Sequence, residues 1–143
     1  MSLFDAINTA ATGLSAERLR MDVTAENLAN AQTTRGADGR PYQRKVVALQ
    51  EAGTGFGATL GGAMKGGSGG VRVAGISADT TPNRLVYDPG HPDADARGYV
   101  SMPNVQPVTE MVDLISASRG YEANVTVMQT AKQMFSKTLE LLR

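Results

Sequence analysis

Cysteine is absent from this chain, and so is tryptophan. Without cysteine there is no disulfide, no thiolate nucleophile and no zinc–thiolate site. That absence leaves the compartment open. It suits a chain that stays unfolded while crossing a membrane and then works in an oxidising space. Aromatic residues make up only 5% of the chain, too few for a base-stacking platform. Charge of one sign is missing too: Lys+Arg and Asp+Glu each number 14, for a formal net charge of zero. A general binder of nucleic acid or anionic membrane carries a basic excess, so no nucleic-acid partner is expected; no small-molecule substrate is expected either. No apolar run approaches the ~18 residues of a membrane span. No cleavable signal peptide is read, because the first basic residue is Arg18 and Asp5 occupies the place of a positive n-region. By these signals alone the expected location is the cytoplasm.

Histidine is nearly absent. His91 stands alone, with Asp88, Asp93 and Asp95 around it. Asp and His can hold a metal, and a small enzyme using Asp88, His91 and Asp93 is one hypothesis. Pro89, Gly90 and Pro92 break the segment into turns, so its ligands do not share a face. A solvated turn is the expectation, with no cofactor and no metal. One His without Cys cannot assemble a nucleophile–base–orienter set.

Proline is absent from Val108 onward, and Gly120 is the one glycine there. Within that stretch Met111, Leu114, Ser118, Tyr121, Val125, Met128, Lys132, Phe135, Leu139 and Leu142 step by 3.5, all apolar except Ser118 and Lys132. This is a heptad seam. Pro107 suits a first helical turn. Glu110 and Asp113 near one end, and Lys132, Lys137 and Arg143 near the other, complement the helix dipole, with Glu140 the exception. A helix over 108–142 would be roughly 50 Å long at ~1.5 Å per residue. That is too long for an isolated small domain, so its seam must bury against another long helix, in this chain or in a neighbour.

The N-terminus supplies such a helix. Phe4, Ile7, Ala11, Leu14, Arg18, Met21, Ala25 and Leu28 repeat the 3.5 step, and Ser2 to Asp5 reads as a capping box. Gly13 within it, like Gly120 in the last helix, either lets the helices approach closely or is a tolerated defect of ~0.5–1 kcal/mol. Asn30 marks the expected stop.

Between the helices, Tyr42–Leu49, Val71–Ser77 and Leu85–Tyr87 read as strands. Residues 53–70 form a glycine-rich stretch with no G-x-G-x-x-G and no Walker pattern, expected as a flexible loop. Gly98 to Pro107 is expected to run extended, since its two prolines keep it from being helical. The predicted class is α+β: residues 1–34 and 108–143 form an antiparallel coiled coil, and residues 35–107 form an inserted small β module.

The two ends resemble the axial rod–hook proteins of the bacterial flagellum. Asn27-Leu28-Ala29-Asn30-Ala31 with Thr33-Thr34 is similar to the N-terminal signature of that family. Met111-Val112-Asp113-Leu114-Ile115-Ser116-Ala117-Ser118-Arg119-Gly120-Tyr121-Glu122-Ala123-Asn124 is similar to the C-terminal one. Within the family, Gly39-Arg40-Pro41-Tyr42-Gln43-Arg44-Lys45, Tyr99-Val100-Ser101-Met102-Pro103-Asn104-Val105-Gln106-Pro107-Val108 and Val127-Met128-Gln129-Thr130-Ala131-Lys132 resemble the proximal-rod members. The resemblance covers about residues 1–50 and 71–143. It implies a structural subunit, exported unfolded through the flagellar type III apparatus without a cleaved signal. It also implies polymerisation in the periplasm, with copies of itself and other rod proteins, into a hollow drive shaft. The expected location thereby shifts from cytoplasm to periplasm. The residues it marks are Asn27, Leu28, Ala29, Asn30, Thr33, Tyr42, Pro103, Asn104, Val105, Arg119, Tyr121 and Asn124. A soluble adaptor or secretion chaperone built on the same helices is the competing expectation.

Overall fold

A computed structural model describes residues 3–36, 38–52 and 69–141. Ser2, Leu142, Arg143 and positions 53–68 of the glycine-rich stretch lie outside the described residues. The elements are α1 (Leu3–Ala29), β1 (Lys45–Ala52), β2 (Gly70–Ala78), β3 (Arg84–Tyr87), β4 (Tyr99–Met102) and α2 (Pro107–Leu141). The class is α+β: two long helices with a small antiparallel β module between them. Among the described residues, no helix is long and apolar enough to cross a membrane.

The helices run antiparallel. Asn27 meets Glu110, Glu17 lies against Gly120, Gly13 against Asn124, and the Phe4 ring packs edge-on against Phe135 at 6.1 Å. Each step toward the start of α1 matches a step toward the end of α2. The buried positions of α2 are Glu110, Ala117 and Ala131. With Asn124, which packs on Gly13, they form a set spaced by seven. Their counterparts on α1 are Ala10, Ala16, Val23 and Asn27. This differs from the expected seam. Leu114, Tyr121, Val125 and Met128 are half-buried, as are Ile7, Leu14, Met21 and Leu28, whereas Met111, Leu139, Phe4 and Phe135 remain largely exposed. The intramolecular seam of α2 shares the 114, 121, 128 and 135 row with the expected one. Its alternate row is shifted by one residue, from 111/118/125/132 to 110/117/124/131. Small residues explain the rotation. A Cβ on Gly13 would come within 3.0–3.2 Å of the Asn124 amide, and one on Gly120 within 3.2–3.4 Å of Glu17. The backbones therefore approach where side chains are shortest, and Gly13 serves that approach.

The β module is two hairpins. β1 and β2 pair from Lys45↔Ala78 to Ala52↔Gly70 with a bulge between Ala48 and Leu49. This hairpin lies along α1: Lys45 sits at Asn27, Thr9 donates to the Gly69 carbonyl, and the Val71 N–H donates to Thr12 Oγ1. β1 begins and ends three residues later than the expected Tyr42–Leu49, because the Tyr42 N–H donates to the Thr33 carbonyl and the Arg44 N–H to Asn104 Oδ1 instead of to a ladder partner. β3 and β4 pair from Arg84↔Met102 to Tyr87↔Tyr99, which makes the expected extended return a strand. Gly98 closes this hairpin at φ 80°, where a Cβ would meet the Tyr87 ring at 2.9 Å.

Candidate functional site

Two features of the surface and core stand out: a buried polar lock at the root of the helix pair, and apolar faces that the chain leaves uncovered.

The lock is built on Asn27 and Glu110, each 1% exposed. Asn27 sits in the last turns of α1 and Glu110 in the first turn of α2, so the antiparallel pairing brings them together. All four hydrogen-bonding positions of the Asn27 amide are used. Its Nδ2 donates to the Lys45 carbonyl at 2.9 Å and to Glu110 Oε2 at 3.0 Å; its Oδ1 accepts from Tyr42 Oη and from the Lys45 N–H, both at 2.9 Å. A fully satisfied amide is what a buried polar side chain requires. The second oxygen of Glu110 accepts from Arg44 Nε at 2.5 Å. Arg44 also reaches Asp113 at 3.2 Å and Asp79 at 3.8 Å. Glu110 is therefore a buried charge with a charged partner and a neutral one, which is how a buried carboxylate is tolerated.

Electrostatics follow from this packing. Burial, then the nearby Glu26 and Glu110 carboxylates, push the Tyr42 phenol up to about 12. The hydrogen bond to Glu110 holds the Arg44 guanidinium above its usual value. Asp79 is held below the usual carboxylate range by the hydroxyl and N–H of Thr81, and by Arg44. Asn104 ties the return segment in: its Oδ1 accepts from the Arg44 N–H at 2.7 Å and its Nδ2 donates to the Thr81 carbonyl at 3.1 Å. Pro103 and Val105, on either side, are buried.

Five of the twelve residues singled out by the family resemblance gather in one place. Asn27, Tyr42 and Asn104 join the lock, and Pro103 and Val105 pack beside it. Asn30 and Thr33 close the end of α1, where Asn30 Nδ2 donates to the Glu26 carbonyl and Thr33 Oγ1 to Asn30 Oδ1. Asn124 packs on Gly13 from the opposite helix. Leu28 and Tyr121 are half-buried, whereas Ala29 and Arg119 are exposed and take no part. Glu110, Arg44, Ala117 and Ala131 carry the pairing and were not singled out. For the three on α2 the signal was the seven-residue spacing of small or polar residues, which hydrophobicity alone does not score.

The Asp88–Asp95 turn is held by its own polar groups. His91 Nδ1 accepts from the Asp93 N–H, and Asp93 takes the Thr34 hydroxyl and an ion pair from Arg35. Among the described residues, no group of three or more His, Asp or Glu is placed to hold a metal ion.

The uncovered faces lie elsewhere. Val108, Met111, Val112 and Ile115 form one exposed stripe of α2. At about 100° per residue this stripe points away from the α1-facing seam of Glu110, Ala117 and Asn124. Leu85, Tyr87 and Tyr99 form a second exposed patch, on the outer side of the β3–β4 hairpin. A polar-locked helix pair that keeps these apolar faces exposed among the described residues is organised for assembly.

Known proteins agree with that organisation. Residues 7–37 match the family described as flagella basal body rod protein. Residues 96–141 match the one described as flagellar basal body rod FlgEFG protein C-terminal. The chain belongs to the flagellar basal-body rod proteins. Within that class its full-length similarity is to FlgC. The Bacillus subtilis protein is 47% identical over 99% of both chains. That of Borreliella burgdorferi is 47% identical over 100% of this chain and 99% of its own. That of Yersinia enterocolitica is 49% identical over 99% and 98%.

Proposed function

We propose that this chain is a structural subunit of the proximal rod of the flagellar basal body, polymerising into the hollow shaft that carries motor torque to hook and filament. The observation that carries this reading is the apolar stripe of α2, uncovered on a chain whose whole length is similar to basal-body rod proteins. Residues 1–34 and 108–143 form the tube wall in this reading, and residues 35–107 lie outside it. Its partners are copies of itself and other rod proteins. The chain leaves the cytoplasm unfolded through the flagellar type III apparatus, without a cleaved signal, and assembles in the periplasmic space. The lack of cysteine suits that route, since no premature disulfide can form. The chain is not an enzyme and takes no cofactor. The polar groups of the Asp88–Asp95 turn are spent on holding the turn.

The experiment is complementation of a strain lacking this gene, followed by purification and imaging of basal bodies. Rods whose density contains the chain are the expected result. Closed soluble complexes, with no chain in the rod, would overturn the reading in favour of an adaptor.

A further inference from the structure

We propose that the outer face of the β3–β4 hairpin of one copy docks on the outer stripe of α2 of the next copy. This rests on the rod-subunit reading and specifies its contact. The two faces are separate. On the hairpin, Leu85 and Tyr87 alternate with Val86, and Tyr87 pairs with Tyr99, so Leu85, Tyr87, Tyr99 and Ser101 share one side while Val100 is buried on the other. The Tyr87 and Tyr99 rings stand at 65° with centroids 5.3 Å apart, a prearranged aromatic ridge. On the helix, Val108, Met111, Val112 and Ile115 recur at i, i+3, i+4 and i+7. The apolar residues of both faces are between 43% and 70% exposed.

A second copy is the occupant for three reasons. Neither face contains an acidic or basic side chain, so their contact buries no carboxylate, ammonium or guanidinium. Their chemistries differ and suit each other: a pair of aromatic rings on the hairpin faces an aliphatic stripe that includes a flexible Met. A contact between two different patches of one chain is heterologous. Repeated, it yields open helical assemblies, whereas a patch meeting itself closes a dimer. Size agrees with that logic. From their fractional exposures each face offers on the order of 400 Å², about half of the ~800 Å² that each partner of a standard interface buries. One such contact does not hold two free copies together. A subunit is held when it joins an assembly that engages both of its faces.

The absence of native cysteine gives the test. Ser101→Cys lies on the hairpin face and Ser116→Cys beside the helix stripe, and both are near-isosteric changes. The two variants are co-expressed as the only copies in one strain, and purified basal bodies are oxidised. Expected is a disulfide-linked dimer in the mixed strain and none when either variant is expressed alone. A dimer from Ser116→Cys alone would mean helix-to-helix self-packing and overturns the proposal. So does reaction of either cysteine, through a thiol–amine cross-linker, with a different axial protein in place of the second copy. Intact rods containing both variants but no mixed dimer overturn the proposed contact and leave the rod reading standing. Basal bodies that lack the wild-type chain overturn both. As a second measurement, Leu85→Asp should lose incorporation into rods while the purified chain keeps its far-UV circular dichroism and urea midpoint. Undiminished incorporation of Leu85→Asp overturns the contact as well.

Discussion

Replacing Glu110 by Gln tests the polar lock without changing its volume. Glu110 presents two acceptors, to Arg44 Nε and Asn27 Nδ2. A Gln presents one acceptor and one NH₂, so one of those donors must face another donor, at a site 1% exposed. The ion pair with Arg44 disappears as well. Breaking a buried pair costs about 3–5 kcal/mol. Arg44 is only partly buried and keeps Asp113 and Asp79 as neighbours, which places the expected loss near the lower end, about 3 kcal/mol. Against a total stability of about 5–15 kcal/mol this is a large fraction. Urea unfolding of the purified chain, followed at 222 nm, reads it out. With a slope of about 1–3 kcal/mol/M the midpoint should fall by on the order of 1–3 M. Asp113→Asn is the control. Its carboxylate is 40% exposed, and losing so exposed a partner should cost no more than ~1 kcal/mol. In a double-mutant cycle, Glu110→Gln and Arg44→Ala should couple by about 1 kcal/mol or more. If Glu110→Gln and Asp113→Asn shift the midpoint equally little, or the cycle shows no coupling, the lock does not hold the module to the helices.

Tyr42 is pushed up from 10.0 to about 12. The fold therefore favours the neutral phenol. That contribution to stability is fully present below pH ~10 and is lost as pH rises through 12. Phenolate absorbance should show one tyrosine titrating last, with stability falling over the same interval; four indistinguishable titrations would contradict it. Gly13→Val should destabilise by about 1–2 kcal/mol, because its side chain runs into Asn124 on α2; a thermal melt checks this. Hydrogen exchange should slow toward the lock and quicken toward the far end of the pair, since beyond Ala131 no described residue of α2 is buried. Uniform protection along α2 would contradict that gradient. Phe135→Asp should block incorporation into the rod by removing the contact with Phe4, whereas His91→Ala should leave basal bodies and motility unchanged.

The existence of the two helices, and the ends at which they meet the β module, were legible from the chain alone. A 3.5-residue repeat with no internal proline supports little else, and the Asn and Pro punctuation marks its limits. The family resemblance was legible too, because its motifs are local strings of residues. Which face of each helix turns inward was not. α2 carries two neighbouring stripes offset by one residue, a large apolar one through Met111 and a small one through Glu110, Ala117, Asn124 and Ala131. Hydrophobicity favours the first. The tertiary structure selects the second, because Ala10, Gly13 and Ala16 on α1 reward close backbone approach, and that preference belongs to the pair of helices, not to either sequence. The lock was hidden for a related reason. Asn27 and Glu110 are 83 residues apart, and a polar residue reads as surface until its partner is placed beside it. Only the fold brings the amide, the carboxylate and the guanidinium within reach, and it buries them because each then satisfies another.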